Sequence, residues 1–149
     1  MYKIIAIYDS LKHFEIPIKE YEKRLGKNLK IIQLKPSKKD SVEEIKRDET
    51  QKLIEALEKE KGYKVLLDIW GKNCTTENFL KFLETKQRSS GNITFVIGGV
   101  YGFTPDLREK VTDSFSLSLL TFPHNLALLN LLEQIYRIEA IKSGKNYHY

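Results

Sequence analysis

Residues 92–104 read NITFVIGGVYGFT: a short apolar run, then two adjacent glycines and a third glycine three positions on. The run reads as a strand, since it is brief, rich in β-branched and aromatic residues and bounded by turn formers. Glycine is disfavoured elsewhere and is kept where the chain needs φ > 0 or a close approach to bare main chain. The loop at this strand's end is therefore either a tight turn into the next element or the edge of a binding site.

The same kind of segment recurs on both sides of it. Toward the N-terminus, YKIIAIY (2–8), LKIIQL (29–34) and YKVLLDI (63–69) read as strands, and FSLSLLTF (115–122) as a short strand with its exit loop. Helical patterns fill the intervals. Phe14, Ile18, Tyr21 and Leu25 recur at helical spacing until Gly26, a position suited to ending a helix. Ser41 and Glu44 form a capping box ahead of Ile45, Leu53, Ala56 and Leu57, and Gly62 closes that segment. GKNCTT reads as a polar turn, followed by a helix over 77–86 that buries Phe79, Leu80 and Leu83. Thr104 and Pro105 mark a helix start, and the chain from His124 to Lys142 is one long helix. Strands alternating with helices pair in parallel and need cover on both sheet faces. The expectation is an α/β fold, a parallel sheet sandwiched between helices, in a single domain over residues 1–149.

In such sheets ligands bind outside the carboxyl ends of the strands. Three loops fall there: LDIWGKN (67–73), IGGVYGF (97–103) and LSLLTFPH (117–124). None carries a phosphate motif. The glycine order is G-G-x-x-G rather than G-x-G-x-x-G, and Phe103 and Thr104 stand where a P-loop has Lys and Ser or Thr.

Other chemistries find little support. His13, His124 and His148 are far apart, the lone Cys74 has no second thiol, and no zinc spacing is present. Cys74 reads as a bystander, His124 as a helix-capping residue and His148 as part of a polar, aromatic tail. The absence of a cysteine pair and of a leader-like N-terminus or long apolar run points to the cytoplasm, with no membrane span. The net charge of +5 leans toward a polyanionic partner. The basic residues at 19–30 and 35–39 read as solvated faces. The last helix carries an apolar arc, Leu128, Leu129, Leu131, Leu132, Ile135, Tyr136 and Ile138, wider than burial against one sheet requires. A second copy of the chain is the expected cover, giving a homodimer through that helix.

Three stretches taken together carry a resemblance: LDIWGK (67–72), VIGGVYGF (96–103) and SLSLLTFPHNLALLNLLEQIYR (116–137), with the ending YHY. In these, and in length and element order, the chain closely resembles the RlmH family of ribosomal large-subunit pseudouridine methyltransferases, a minimal branch of the SPOUT class. The resemblance implies a C-terminal deep trefoil knot, S-adenosylmethionine (SAM) bound in it in a bent form, and a homodimer paired through the knotted region. It implies transfer of a methyl group to N3 of a pseudouridine in 23S ribosomal RNA on the assembled ribosome. Carried over by position, the cofactor contacts are Leu67, Gly98, Leu117, Ser118, Leu119, Leu120, Thr121 and Phe122. Gly98 and Gly99 then let main chain approach the cofactor, and Gly102 permits the turn. His148 is the candidate proton acceptor, and Tyr147, His148 and Arg137 the candidate RNA contacts; no metal is implied. The family usually has an arginine where Leu128 stands and a basic residue where Tyr149 ends the chain. These departures motivate an alternative of a different class, a dimeric ribosome- or RNA-binding protein of the same fold without catalysis.

Overall fold

A computed structural model describes residues 1–148. Five strands, β1 (Tyr2–Ile7), β2 (Leu29–Leu34), β3 (Tyr63–Asn73), β4 (Ile93–Ile97) and β5 (Asp113–Ser116), form one sheet in the order β2-β1-β4-β3-β5. Every neighbouring pair is parallel. Five helices connect or follow them: α1 (Glu15–Leu25), α2 (Val42–Glu58), α3 (Thr76–Ser90), α4 (Asp106–Glu109) and α5 (His124–Lys142). The ITFVI run is β4, at the centre of the sheet and buried along its whole length.

Two apolar cores lie on opposite faces of the sheet, because successive strand side chains alternate between faces. Ile4, Val65, Ile93 and Phe95 pack with Ile18 and Leu25 of α1, Phe79 and Leu83 of α3, and the buried side of α5. Ile5, Ile7, Leu66 and Val96 pack with Leu53, Ile54 and Leu57 of α2 and Leu107 of α4.

Local signals explain most element ends. Ser41 Oγ accepts the Glu44 amide at 3.1 Å and Thr75 Oγ1 accepts the Asn78 amide at 3.1 Å, capping α2 and α3. Gly26 stops α1 at φ +54°. The start of α4 falls one residue beyond Pro105, with the Thr104 carbonyl accepting from the Leu107 amide.

Three sequence expectations are corrected. Gly71, Lys72 and Asn73 are not a turn: β3 continues through them, and Lys72 and Asn73 pair with Phe115 and Ser116 after residues 68–71 bulge out of register. β5 begins at Asp113, ahead of the expected start at Phe115, and ends at Ser116, leaving 117–122 as the expected exit loop, free to form a wall. The apolar arc of α5 does not wait for a second copy. Leu128, Leu131, Leu132, Ile135 and Ile138 are all buried within the chain, against the sheet and α1, each contributing about 1.5–3 kcal/mol relative to exposure. The arc is wide because α5 lies in the angle between the sheet and its neighbouring helices and is covered from several sides. Asn125, also buried, turns its amide to the carbonyls of Ser10 and Leu11.

Candidate functional site

The three loops at the carboxyl edge converge on a cavity of about 380 Å³. Leu67, Asp68 and Ile69 come from the β3 bulge, Ile97 to Val100 with Gly102 and Phe103 from the glycine loop, and Ser116 to Ser118, Leu120 to His124 and Ala127 from the exit of β5 and the first turns of α5. Each loop has its own anchor. In the bulge, Asp68 is buried; its Oδ2 accepts from Arg108 Nε at 2.6 Å and its Oδ1 from the Trp70 amide at 3.2 Å. The carboxylate in turn holds the Arg108 guanidinium more firmly protonated.

The glycine loop closes as a turn, the Gly102 amide donating to the Gly99 carbonyl at 3.0 Å, and Gly102 takes φ +82°. At Gly98 a β-carbon would come within 3.1 Å of the Phe103 ring, and at Gly99 within 2.2 Å of Glu49 Oε1. The opening stretch closes as a tight turn, and the loop lines the cavity. A side chain at Gly98 or Gly99 would crowd Phe103 or Glu49. The third loop is held by its serines. Ser116 Oγ donates to the Ser118 carbonyl at 2.6 Å, and Ser118 Oγ accepts the Leu120 amide at 3.0 Å.

Of the eight residues that the resemblance assigns to the cofactor, Leu67, Gly98, Leu117, Ser118, Leu120, Thr121 and Phe122 line this cavity. Leu119 does not, and its side chain is 78% exposed. A second cavity of about 280 Å³ shares Leu67, Ser116, Leu117 and Phe122 as a common wall and continues between Thr75, Thr76 and Phe79 on one side and Asn130 and Gln134 on the other.

The tail residues gather elsewhere. Tyr147 packs edge-on against Tyr136 with centroids 4.9 Å apart, carries the Arg137 guanidinium over its ring at 5.0 Å, and meets the Tyr21 hydroxyl at 3.1 Å. Burial, then that hydroxyl, pushes its phenol well above the usual range. His148 lies 3.1 Å from Glu77 Oε1 and 3.3 Å from an Arg137 nitrogen. The structure thus brings Arg137, Tyr147 and His148 together, but does not place them on the wall of the larger cavity. Tyr149 lies outside the described residues.

A family model described as "Predicted SPOUT methyltransferase" matches residues 2–148. The chain belongs to the SPOUT methyltransferase family. Among its relatives are proteins named Ribosomal RNA large subunit methyltransferase H: one from Thermotoga neapolitana is 36% identical over 97% of both chains. Another, from Lactobacillus delbrueckii subsp. bulgaricus, is 37% identical over 92% of this chain and 91% of its own. A third, from Fusobacterium nucleatum, is 35% identical over 92% and 91% respectively. A Legionella pneumophila methyltransferase solved with bound SAM shares the fold at a TM-score of 0.52 and 12% identity, over 94% of this chain and 66% of that one.

Within this SPOUT domain, four residues to which sequence reasoning assigned no site role matter to the site. Glu49 and Asp68 are buried carboxylates, for which only their positions on an otherwise apolar helix side and strand gave a hint. Gly71 abuts the backbone of β5. His124, expected as a cap, makes no capping bond; it lines the cavity, where burial and then Lys12 push its imidazole below the usual range. Cys74, read as a bystander, is exposed on the lining of the second cavity, and partial burial pushes its thiol up. Leu128 is 2% exposed, in the core, and does not line the cavity. No described helix is long and apolar enough to cross a membrane.

Proposed function

We propose that this protein is a SAM-dependent methyltransferase that methylates N3 of a pseudouridine in 23S ribosomal RNA on the assembled ribosome, as a cytoplasmic enzyme of one domain over residues 1–149. The observation that carries the reading is the meeting of all three carboxyl-edge loops in one cavity, in a chain matched along nearly its full length by relatives named for large-subunit ribosomal RNA methylation.

The lining fits the cofactor. Its volume lies within the range of about 300–1,000 Å³ common for small-molecule sites. Leu67, Leu117, Leu120 and Phe122 offer apolar walls for an adenine, and the main chain of Gly98 and of residues 117–122 offers the polar groups. When bound, SAM supplies a methyl group on a positively charged sulfur, already activated for transfer. The protein's part is then to align donor and acceptor and to favour loss of the N3 proton. Leu67, Gly98, Leu117, Ser118, Leu119, Leu120, Thr121 and Phe122 hold the donor, Leu119 through its main chain. His148 accepts the proton, Tyr147 stacks on the base and Arg137 meets the RNA. Since His148 sits off the wall of its own chain's cavity, a homodimer is part of the proposal. It is supported by exposed apolar residues on the loops around the cavity, Trp70, Val100, Leu119 and Leu120 among them. The deep trefoil knot belongs to the proposal as well, drawn from the family.

A thermal-shift titration tests the reading. A ligand of the folded state raises the melting temperature with concentration, so SAM should raise it, ATP and NAD should not, and Gly98→Trp should abolish the shift. No shift at saturating SAM would move the catalytically inactive RNA-binding protein to first place.

A further inference from the structure

Behind the glycine loop lies a buried carboxyl oxygen that the described residues leave without a partner. Glu49, on α2, is 3% exposed. Its Oε2 accepts the Ser37 amide at 2.9 Å, whereas Oε1 is buried with no hydrogen-bond partner among the described residues. It lies against Gly99 so closely that a β-carbon there would fall 2.2 Å from Oε1. The next residue, Thr50, accepts the Thr104 amide at 2.9 Å, so one turn of α2 holds the glycine loop at its end while Glu49 backs its start. Burying an acidic oxygen without a donor is costly, and folds seldom keep such an atom without a use. Asp68, the buried carboxylate that itself lines the cavity, has Arg108 and the Trp70 amide, whereas Glu49 reaches the cavity only through Gly99, which lines it. Glu49 has no ion pair among the described residues.

We infer that Glu49 is the counter-charge for a cationic ligand in this cavity and makes the site prefer the sulfonium donor SAM over its neutral thioether product, S-adenosylhomocysteine. The inference rests on the SAM reading above. In the transfer, the bond from sulfur to the methyl carbon breaks with its electron pair left on sulfur. The carbon bonds to N3 of the acceptor, and the N3 proton passes to a base. The positive charge on sulfur is thereby lost from the cavity. Attraction between that charge and the Glu49 carboxylate, strong where water is excluded, exists before transfer and vanishes after it, so the same residue favours donor binding and product release. Glu49 acts from behind Gly99 and is a specificity-determining residue, not a catalytic one.

Calorimetric titration of the full chain with SAM and with S-adenosylhomocysteine tests this. Glu49→Gln, close in shape and without charge, should weaken SAM by about tenfold and the product by less than about threefold, while Glu49→Asp, which keeps the charge, should retain the preference. Equal weakening of both ligands, or no change in either, overturns the inference. Should Glu49→Gln not fold, the wild type still decides: it must bind SAM more tightly than the product, and equal or reversed affinities overturn the inference. A wild type that binds neither ligand removes the SAM reading itself, and the inference with it.

Discussion

Gly71 and Phe115 face each other across the β3–β5 pairing with no room for a side chain: a β-carbon on Gly71 would lie 2.7 Å from the Phe115 nitrogen. Backbone cannot step aside as a flexible side chain can. Phe115 is moreover fixed from the other side by Phe82, with centroids 4.5 Å apart, and by Phe79 at 5.5 Å. Gly71→Ala should therefore destabilise the fold by about 1–3 kcal/mol, the usual range for overpacking. Since β5 leads directly into the 117–122 wall, the variant should also weaken SAM binding. Urea unfolding gives the first quantity, and a loss within about 0.5 kcal/mol, typical of unconstrained surface sites, would contradict the packing argument.

The Asp68–Arg108 pair predicts an asymmetry. The Asp68 side chain is 4% exposed and that of Arg108 is 42% exposed. Removing the arginine strands a buried carboxylate, whereas removing the charge of Asp68 leaves an arginine that water can still reach. Arg108→Ala should cost about 1–3 kcal/mol, and Asp68→Asn, which can keep the bond from the Trp70 amide, should cost less. Chemical denaturation of both variants checks the order, and the reverse order would contradict it.

His124 gives the fold a pH dependence of definite sign. Burial and Lys12 lower its folded-state value, so below the ordinary histidine value of about 6.5 the unfolded chain takes up a proton that the folded chain lacks. The stabilisation is full above that pH and declines as pH falls toward the depressed value. Melting temperatures between about pH 6.5 and 5 should fall more steeply for the wild type than for His124→Gln. Equal slopes would contradict the assignment.

The tail separates chemistry from binding. Tyr147→Ala removes the edge contact with Tyr136 and the cation over its ring, and should cost about 1 kcal/mol of stability. His148 is exposed, so His148→Ala should leave the melting temperature unchanged. If His148 accepts the proton, methyl transfer should fall by about 10²-fold or more with SAM affinity retained. Single-turnover transfer and calorimetry read the two quantities. Unchanged transfer by His148→Ala would remove it as the proton acceptor.

Much of this was legible in the residues. The ITFVI run, the Ser41 cap and the helical spacing from Phe14 to Leu25 are local signals, and the elements they predict are present. So is the convergence of the three loops, which follows from parallel topology alone. What escaped notice depends on contacts between distant segments. Lys72 and Asn73 are polar and turn-like in isolation, yet they extend β3 because β5 arrives beside them. The breadth of the α5 apolar arc is a sequence fact, but what covers it is decided by the packing of α1 and the sheet. Glu49 sits in a string of charged residues, where only its place on the apolar side of α2 sets it apart. The approach of Gly99, fifty residues on, and of the Ser37 amide is what buries its carboxyl group.

The central claim is tested most directly by incubating the purified protein with intact ribosomes and SAM carrying a labelled methyl group, then digesting the large-subunit RNA and locating the label by mass spectrometry. The account predicts a single methyl on N3 of a pseudouridine, lost with Gly98→Trp. Ribosomes left unlabelled while SAM still binds, or label on another nucleotide, would contradict it.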